Sequence, residues 1–176
     1  MLRILVLVLI CAAAPDMLSA QTAEAPQALS PPMNVDRLGA ILTAIDPATV
    51  VEARGMTLTV AAVPVTVVVD PNANRMRILV PIASVEGLGE AELLRLMQAN
   101  FDSALDARYA VANGRLWSTF IHPLEELQAE QLISGLAQTV TLAQTYGDTY
   151  SSGALVFGGG DTRGLLEDLL ERGQEL

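Results

Sequence analysis

Residues 90 to 147 read EAELLRLMQANFDSALDARYAVANGRLWSTFIHPLEELQAEQLISGLAQTVTLAQTYG, and this stretch decides the fold. Glu90 to Phe101 has helical spacing, with Leu93, Leu94, Leu96, Met97 and Phe101 on a broad arc. An arc that wide predicts burial on more than one side. Asn113-Gly114 then marks a tight hairpin, because a type I′ turn needs positive φ at both central residues. A two-residue turn there pairs Ala112 with Arg115, Val111 with Leu116, Ala110 with Trp117 and Tyr109 with Ser118. One sheet face then carries Tyr109, Val111, Leu116 and Phe120, a core face. The other carries Arg108, Ala110, Trp117, Thr119 and Ile121. From Leu127 to Tyr146 a second helix aligns Ala129, Leu132, Ile133, Leu136, Ala137, Val140 and Ala143, and Gly147 stands where a left-handed C-cap belongs.

Upstream, Asn34 is a good N-cap, and Asp36 suits the first turn of a helix carrying Val35, Leu38, Ile41, Leu42 and Ile45. Pro47 stops that helix. From Val50 to Ile82 the period falls to two: Met56, Leu58 and Val60 alternate, Val65 to Val69 is β-branched, and Met76, Ile78, Val80 and Ile82 share a face. Asp70-Pro71-Asn72-Ala73-Asn74 supplies a turn, and Pro64 marks a bend or an edge. The expected fold is therefore α+β: an antiparallel sheet of about five strands packed with three helices, in the order α-β-β-β-α-β-β-α. Residues 148 to 176 follow as a Gly-rich link and an acidic helix with Leu165, Leu166, Leu169 and Leu170 on one side.

At the other end, Arg3 precedes the apolar run Ile4–Ala14, and Leu18-Ser19-Ala20 offers small residues before Gln21. This is the build of a signal peptide, residues 1–20, cleaved between Ala20 and Gln21, which implies a periplasmic or secreted protein. The apolar run is too short for a stable membrane span, which needs about 20 residues. Residues 21–33, polar and rich in Ala and Pro, read as a disordered leader before a domain at 34–147. Cys11, the one cysteine, leaves with the signal, so neither disulfides nor thiol chemistry are expected. The chain carries 10 arginines, no lysine and 20 acidic residues, a net charge of −10. Nucleic-acid binding, led by basic contacts to phosphate, is excluded.

The passages LLRLMQANFDSALDARYAV and NGRLWSTFIHPLEELQAEQL resemble the YbjN family, whose members share the fold of type III secretion chaperones. Asn100, Arg108, Gly114, Leu116, Pro123, Leu124 and Leu127 stand at the matching places, across roughly residues 34 to 147. Gln128 occupies a position where relatives place Thr or Ser. The resemblance implies a secretion-chaperone-like fold and a non-enzymatic, chaperone-like or regulatory protein-binding module, here in an exported version; it implies a protein or peptide segment as partner, and a homodimer.

Residue chemistry points the same way. His122 is the one histidine, and a metal-assisted hydrolase using His122 and Glu125 is the enzyme alternative. No nucleophile completes such a constellation, and His122 with the pair Glu125-Glu126 and Glu130 one turn on makes a weak case for a metal, since those glutamates suit a solvated face at the start of the helix from Leu127. Gly158-Gly159-Gly160-Asp161 has no Lys and no phosphate-loop spacing. No cofactor is implied. A lone tryptophan opposite the core face is a different matter, since large aromatics anchor interfaces. Trp117, Ile121, Ala110 and Arg108 are therefore the candidate partner- or dimer-binding residues, with the C-terminal leucine helix a candidate to dock on them.

Overall fold

A computed structural model describes residues 31–102, 104–146 and 162–173. The order is α1 (Val35–Ile45), β1 (Val50–Glu52), β2 (Gly55–Val60), β3 (Val63–Asp70), β4 (Arg75–Ser84), α2 (Glu90–Asp102), β5 (Arg108–Ala112), β6 (Arg115–His122), α3 (Ala129–Gln144) and α4 (Thr162–Gly173). One antiparallel sheet takes the strand order β1-β2-β3-β4-β6-β5. It has six strands where about five were expected. The additional one is β1, three residues long and exposed throughout, so it offers no alternation for a sequence pattern to show.

Local signals account for most boundaries. Asn34 caps α1, its Oδ1 accepting from the Arg37 N–H at 2.8 Å. At the other end the Asp46 carboxylate accepts from the Ala48 N–H at 2.9 Å and the Thr59 N–H at 2.8 Å, fastening the helix to β2. The Asn113-Gly114 turn forms with φ of 52° and 69°, and the β5–β6 register is the one the two-residue turn requires. The β2–β3 hairpin uses the same geometry without the residues for it: Ala61 and Ala62 sit at φ of 48° and 63°. Pro64 lies in β3, whose pairing with β4 begins at Thr66↔Leu79. Continuing that register would set Pro64 opposite Pro81, two residues without an N–H to give.

Alternation sorts the strands into two faces. Met56, Leu58, Val60, Val65, Val67, Val69, Met76, Ile78, Val80 and Phe120 are buried on the inner face beneath α1 and α3. Gly135 permits the closest approach, since a Cβ built there would lie 2.8 Å from the Phe120 ring. A smaller cluster joins Leu96 and Ala99 of α2 to Tyr109 and Leu116. Two expectations fail here. Val111, placed with the core by alternation, is 53% exposed because the inner-face cluster ends at Tyr109. The broad apolar arc of α2 is not buried on two sides: Leu96 packs inward, while Leu94, Met97 and Phe101 are 59, 51 and 75% exposed.

The C-terminal helix also goes elsewhere than expected. α4 packs on α3 and α1, with Leu169 buried in the main core and the Arg172 guanidinium reaching the Ile45 carbonyl at 3.4 Å. Leu165, Leu166 and Leu170 extend that seam, so its leucines cover the helical layer and not Trp117. The Gly-rich link, the signal segment and residues 21–30 lie outside the described residues; residues 31–33, expected to belong to a disordered leader, are described, and Met33 is 1% exposed in the main core with its N–H donating to the Glu125 carbonyl at 3.1 Å.

Candidate partner-binding face

The outer face of the sheet is the set of strand residues left over from the core. On β4 these are Arg75, Arg77, Leu79 and Pro81; on β6, Arg115, Trp117, Thr119 and Ile121; on β5, Arg108, Ala110 and Ala112. Pairing sets Arg77 beside Ile121, Leu79 beside Thr119, and Trp117 between Pro81 and Ala110. All four described helices bury their side chains with the inner-face clusters, so no helix among the described residues covers this face. Ile121 is 52% exposed, and Trp117 and Leu79 are half-buried.

Two hollows mark the face. One, of about 270 Å³, is lined by Arg77, Leu79, Ala110, Trp117, Thr119 and Ile121. The other, of about 410 Å³, is lined by Val68, Asp70, Ala73, Arg75, Arg77 and Leu79. Arg77 and Leu79 belong to both. The Trp117 Nε1–H donates to the Ala112 carbonyl at 3.0 Å, which holds the indole along the hairpin. Beneath it the Thr119 hydroxyl is buried without a hydrogen-bond partner among the described residues.

Of the four residues singled out from sequence, Trp117, Ile121 and Ala110 come together. Arg108 does not join them around the smaller hollow. Its guanidinium donates to the Leu105 and Ala107 carbonyls, closing the loop that leads into β5. Val68, Arg77 and Leu79 were missed. Arg77 and Leu79 alternate with Met76 and Ile78, so their face was legible. That β4 lies against β6, bringing them to Trp117, was not, because the two strands are separated by α2 and β5.

The free edge at β5 is partly closed. The Asn100 side chain accepts from the Tyr109 N–H at 2.7 Å and donates to the Tyr109 carbonyl at 3.1 Å, doing what a neighbouring strand would do. Gln138 secures the preceding loop, its Oε1 accepting from the Asp106 and Ala107 N–H groups at 2.7 and 3.2 Å. Asn100 is thus given a physical role that the sequence resemblance alone did not supply.

His122 lies at the far end of β6 in a cavity of about 480 Å³, with Asp106, Arg108, Glu130, Gln131 and Ser134 around it. Its Nδ1 stands 2.7 Å from the Pro123 carbonyl, which can only accept, so Nδ1 carries the proton. The ring stacks on Phe120 with centroids 5.9 Å apart. Glu125 does not line this cavity; its backbone N–H is held by Asn74 Oδ1 at 2.8 Å. The proposed His122–Glu125 pairing is therefore not assembled. Among the described residues no group of three potential His, Cys, Asp or Glu ligands is disposed around a metal position. No described helix is long and apolar enough to cross a membrane.

Comparison with solved structures places the architecture. A chain in the crystal structure of the ExsC–ExsE complex superposes with a TM-score of 0.51 at 17% identity, over 66% of this chain and 92% of that one. A chain in the HopA1–SchA chaperone–effector complex gives a TM-score of 0.49 at 11% identity, over 67% of this chain and all of that one. No family model and no curated protein matches the chain. The six-stranded antiparallel sheet with its helices is a type III secretion chaperone-like fold.

Proposed function

We propose that the chain is an exported, non-enzymatic protein-binding module, chaperone-like in its action, that holds a partner segment against the outer face and works as a homodimer. The observation that carries the reading is the uncovered apolar face around Trp117 and Ile121, with hollows of side-chain size. The fold likeness to a chain solved in complex with another protein supports the class of activity, as an analogy of fold. With Asn100 closing part of the β5 edge, face binding is favoured over strand addition there. Residues 1–20, with Arg3, an apolar run and small residues before Gln21, support export.

The surface for the second copy is the ridge of α2. Leu93, Leu94, Met97 and Phe101 stand exposed along it, with Leu105 following. A ridge of that character seeks apolar cover, and self-association is the arrangement a symmetric homodimer offers. Sedimentation of the full chain is expected to give a dimer, and Phe101→Asp a folded monomer. A monomeric parent chain ends the dimer reading. For partner binding, immobilised full chain is expected to retain a protein from periplasmic extract that Ile121→Asp does not retain. His122→Ala is expected to retain it fully. Retention lost in a well-folded His122→Ala, or unchanged in Ile121→Asp, overturns the assignment to this face.

A further inference from the structure

We infer that the segment bound by the outer face is acidic as well as apolar, its carboxylates meeting Arg77 with Arg75 beside it. This rests on the outer face being the protein-binding surface and adds the chemistry of what binds. The chain as a whole carries a net charge of −10, yet four of its ten arginines, Arg75, Arg77, Arg108 and Arg115, stand exposed on this one face, and Arg75 and Arg77 line one hollow together. Arg77 makes no ion pair among the described residues, while Arg75 donates to the Asn74 carbonyl at 3.0 Å and lies within electrostatic reach of Glu126. Asp70, the cross-strand partner of Arg75, accepts from the Asn72 and Ala73 N–H groups at 3.1 and 3.2 Å and stands 3.9 Å from Arg54. Arg77 is therefore a free, forked donor set at the join of the two hollows.

The spacing suits an extended occupant. Leu79, Trp117 and Ile121 offer apolar seats on one side of Arg77, and Val68 offers one on the other. A chain whose carboxylates fall between apolar side chains meets both kinds of site at once. An anionic bilayer shares the charge but suits the molecule less. Two arginines attract it at about 1 kcal/mol each, while the chain as a whole, at −10, opposes it. A short segment meets only the local field, since charges beyond about 8 Å are screened at physiological salt.

Trp117 is the one tryptophan, so its emission reports this face directly. The full chain is titrated with a short synthetic peptide alternating Glu with Leu, with a twin carrying Lys in place of Glu, and with phosphatidylglycerol vesicles. The Glu peptide is expected to shift Trp117 emission, and the Lys twin to leave it unchanged at equal concentration. Arg77→Glu is expected to weaken the Glu peptide about tenfold, a difference of about 1.4 kcal/mol, with an unchanged melting temperature. Arg75→Glu, at the same hollow, serves the same purpose should Arg77→Glu not fold. Equal binding of both peptides overturns the acidic assignment while leaving a protein-binding face intact. Vesicles that shift the emission where neither peptide does would remove both readings. Silence from all three probes overturns the acidic assignment and leaves the face to the Ile121→Asp capture experiment.

Discussion

Gly135 is where α3 comes closest to the sheet, and its missing side chain makes that approach possible. A methyl group there would press into the Phe120 ring at 2.8 Å. Ala is the better helix former by about 1 kcal/mol, but overpacking costs more. Gly135→Ala is expected to destabilise by about 1–3 kcal/mol in denaturant titration. Thr119 presents the opposite case: its buried hydroxyl has no partner, so its burial is uncompensated. Thr119→Val is expected to leave stability unchanged or raise it by up to about 1 kcal/mol by the same measurement. Asp46 ties α1 to β2 through its charge. The Thr59 N–H, then the Ala48 N–H, hold its pKa below the ordinary carboxylate value. A depressed folded pKa gives stability that is present above the unfolded value of 3.8 and lost as pH falls through the folded one. Melting temperatures between pH 6 and pH 3 are expected to fall less steeply in Asp46→Asn than in the parent.

Among the elements, the two hairpins make an instructive pair. The β5–β6 turn has Asn113-Gly114, residues suited to left-handed backbone, and its register was legible because a two-residue turn leaves no freedom in pairing. The β2–β3 turn has Ala61-Ala62 in the same left-handed region, where Cβ crowds the backbone. No residue signal announced it; the strands on either side impose it. Ala61→Asn combined with Ala62→Gly is expected to stabilise by about 1 kcal/mol, raising the melting temperature by about 2–4 °C. Helix α2 shows the converse. Its helical period was readable, but which side of its arc would be buried was not, because periodicity records that a residue is apolar and not what comes to cover it. Among the described residues, Leu96 and Ala99 are the positions of α2 that found cover. β1 is too short for any period to speak.

For the whole molecule, the decisive outcome is that the helical layer, including α4, gathers on one side of the sheet. Leu169 enters the main core, although its helix follows α3 only after a Gly-rich stretch. Leu169→Ala is expected to lower the stability of the entire domain by about 2–3 kcal/mol in a single cooperative transition. A change confined to a separate, non-cooperative tail would contradict the packing. With its leucines spent on α1 and α3, α4 does not cover the outer face around Trp117, Ile121 and Arg77.

From sequence alone came the α+β class, the helices at their places, the hairpin register and the Trp117 side of the sheet, because each follows from short-range rules of period, capping and turn geometry. The tertiary structure decided the neighbours. It set β4 against β6, so Arg77 and Leu79 join Trp117; it turned Arg108 into a loop fastener; it left the α2 ridge bare. Those outcomes depend on contacts between residues far apart in the chain, where local propensity is silent and burial is settled by whatever else the fold brings near.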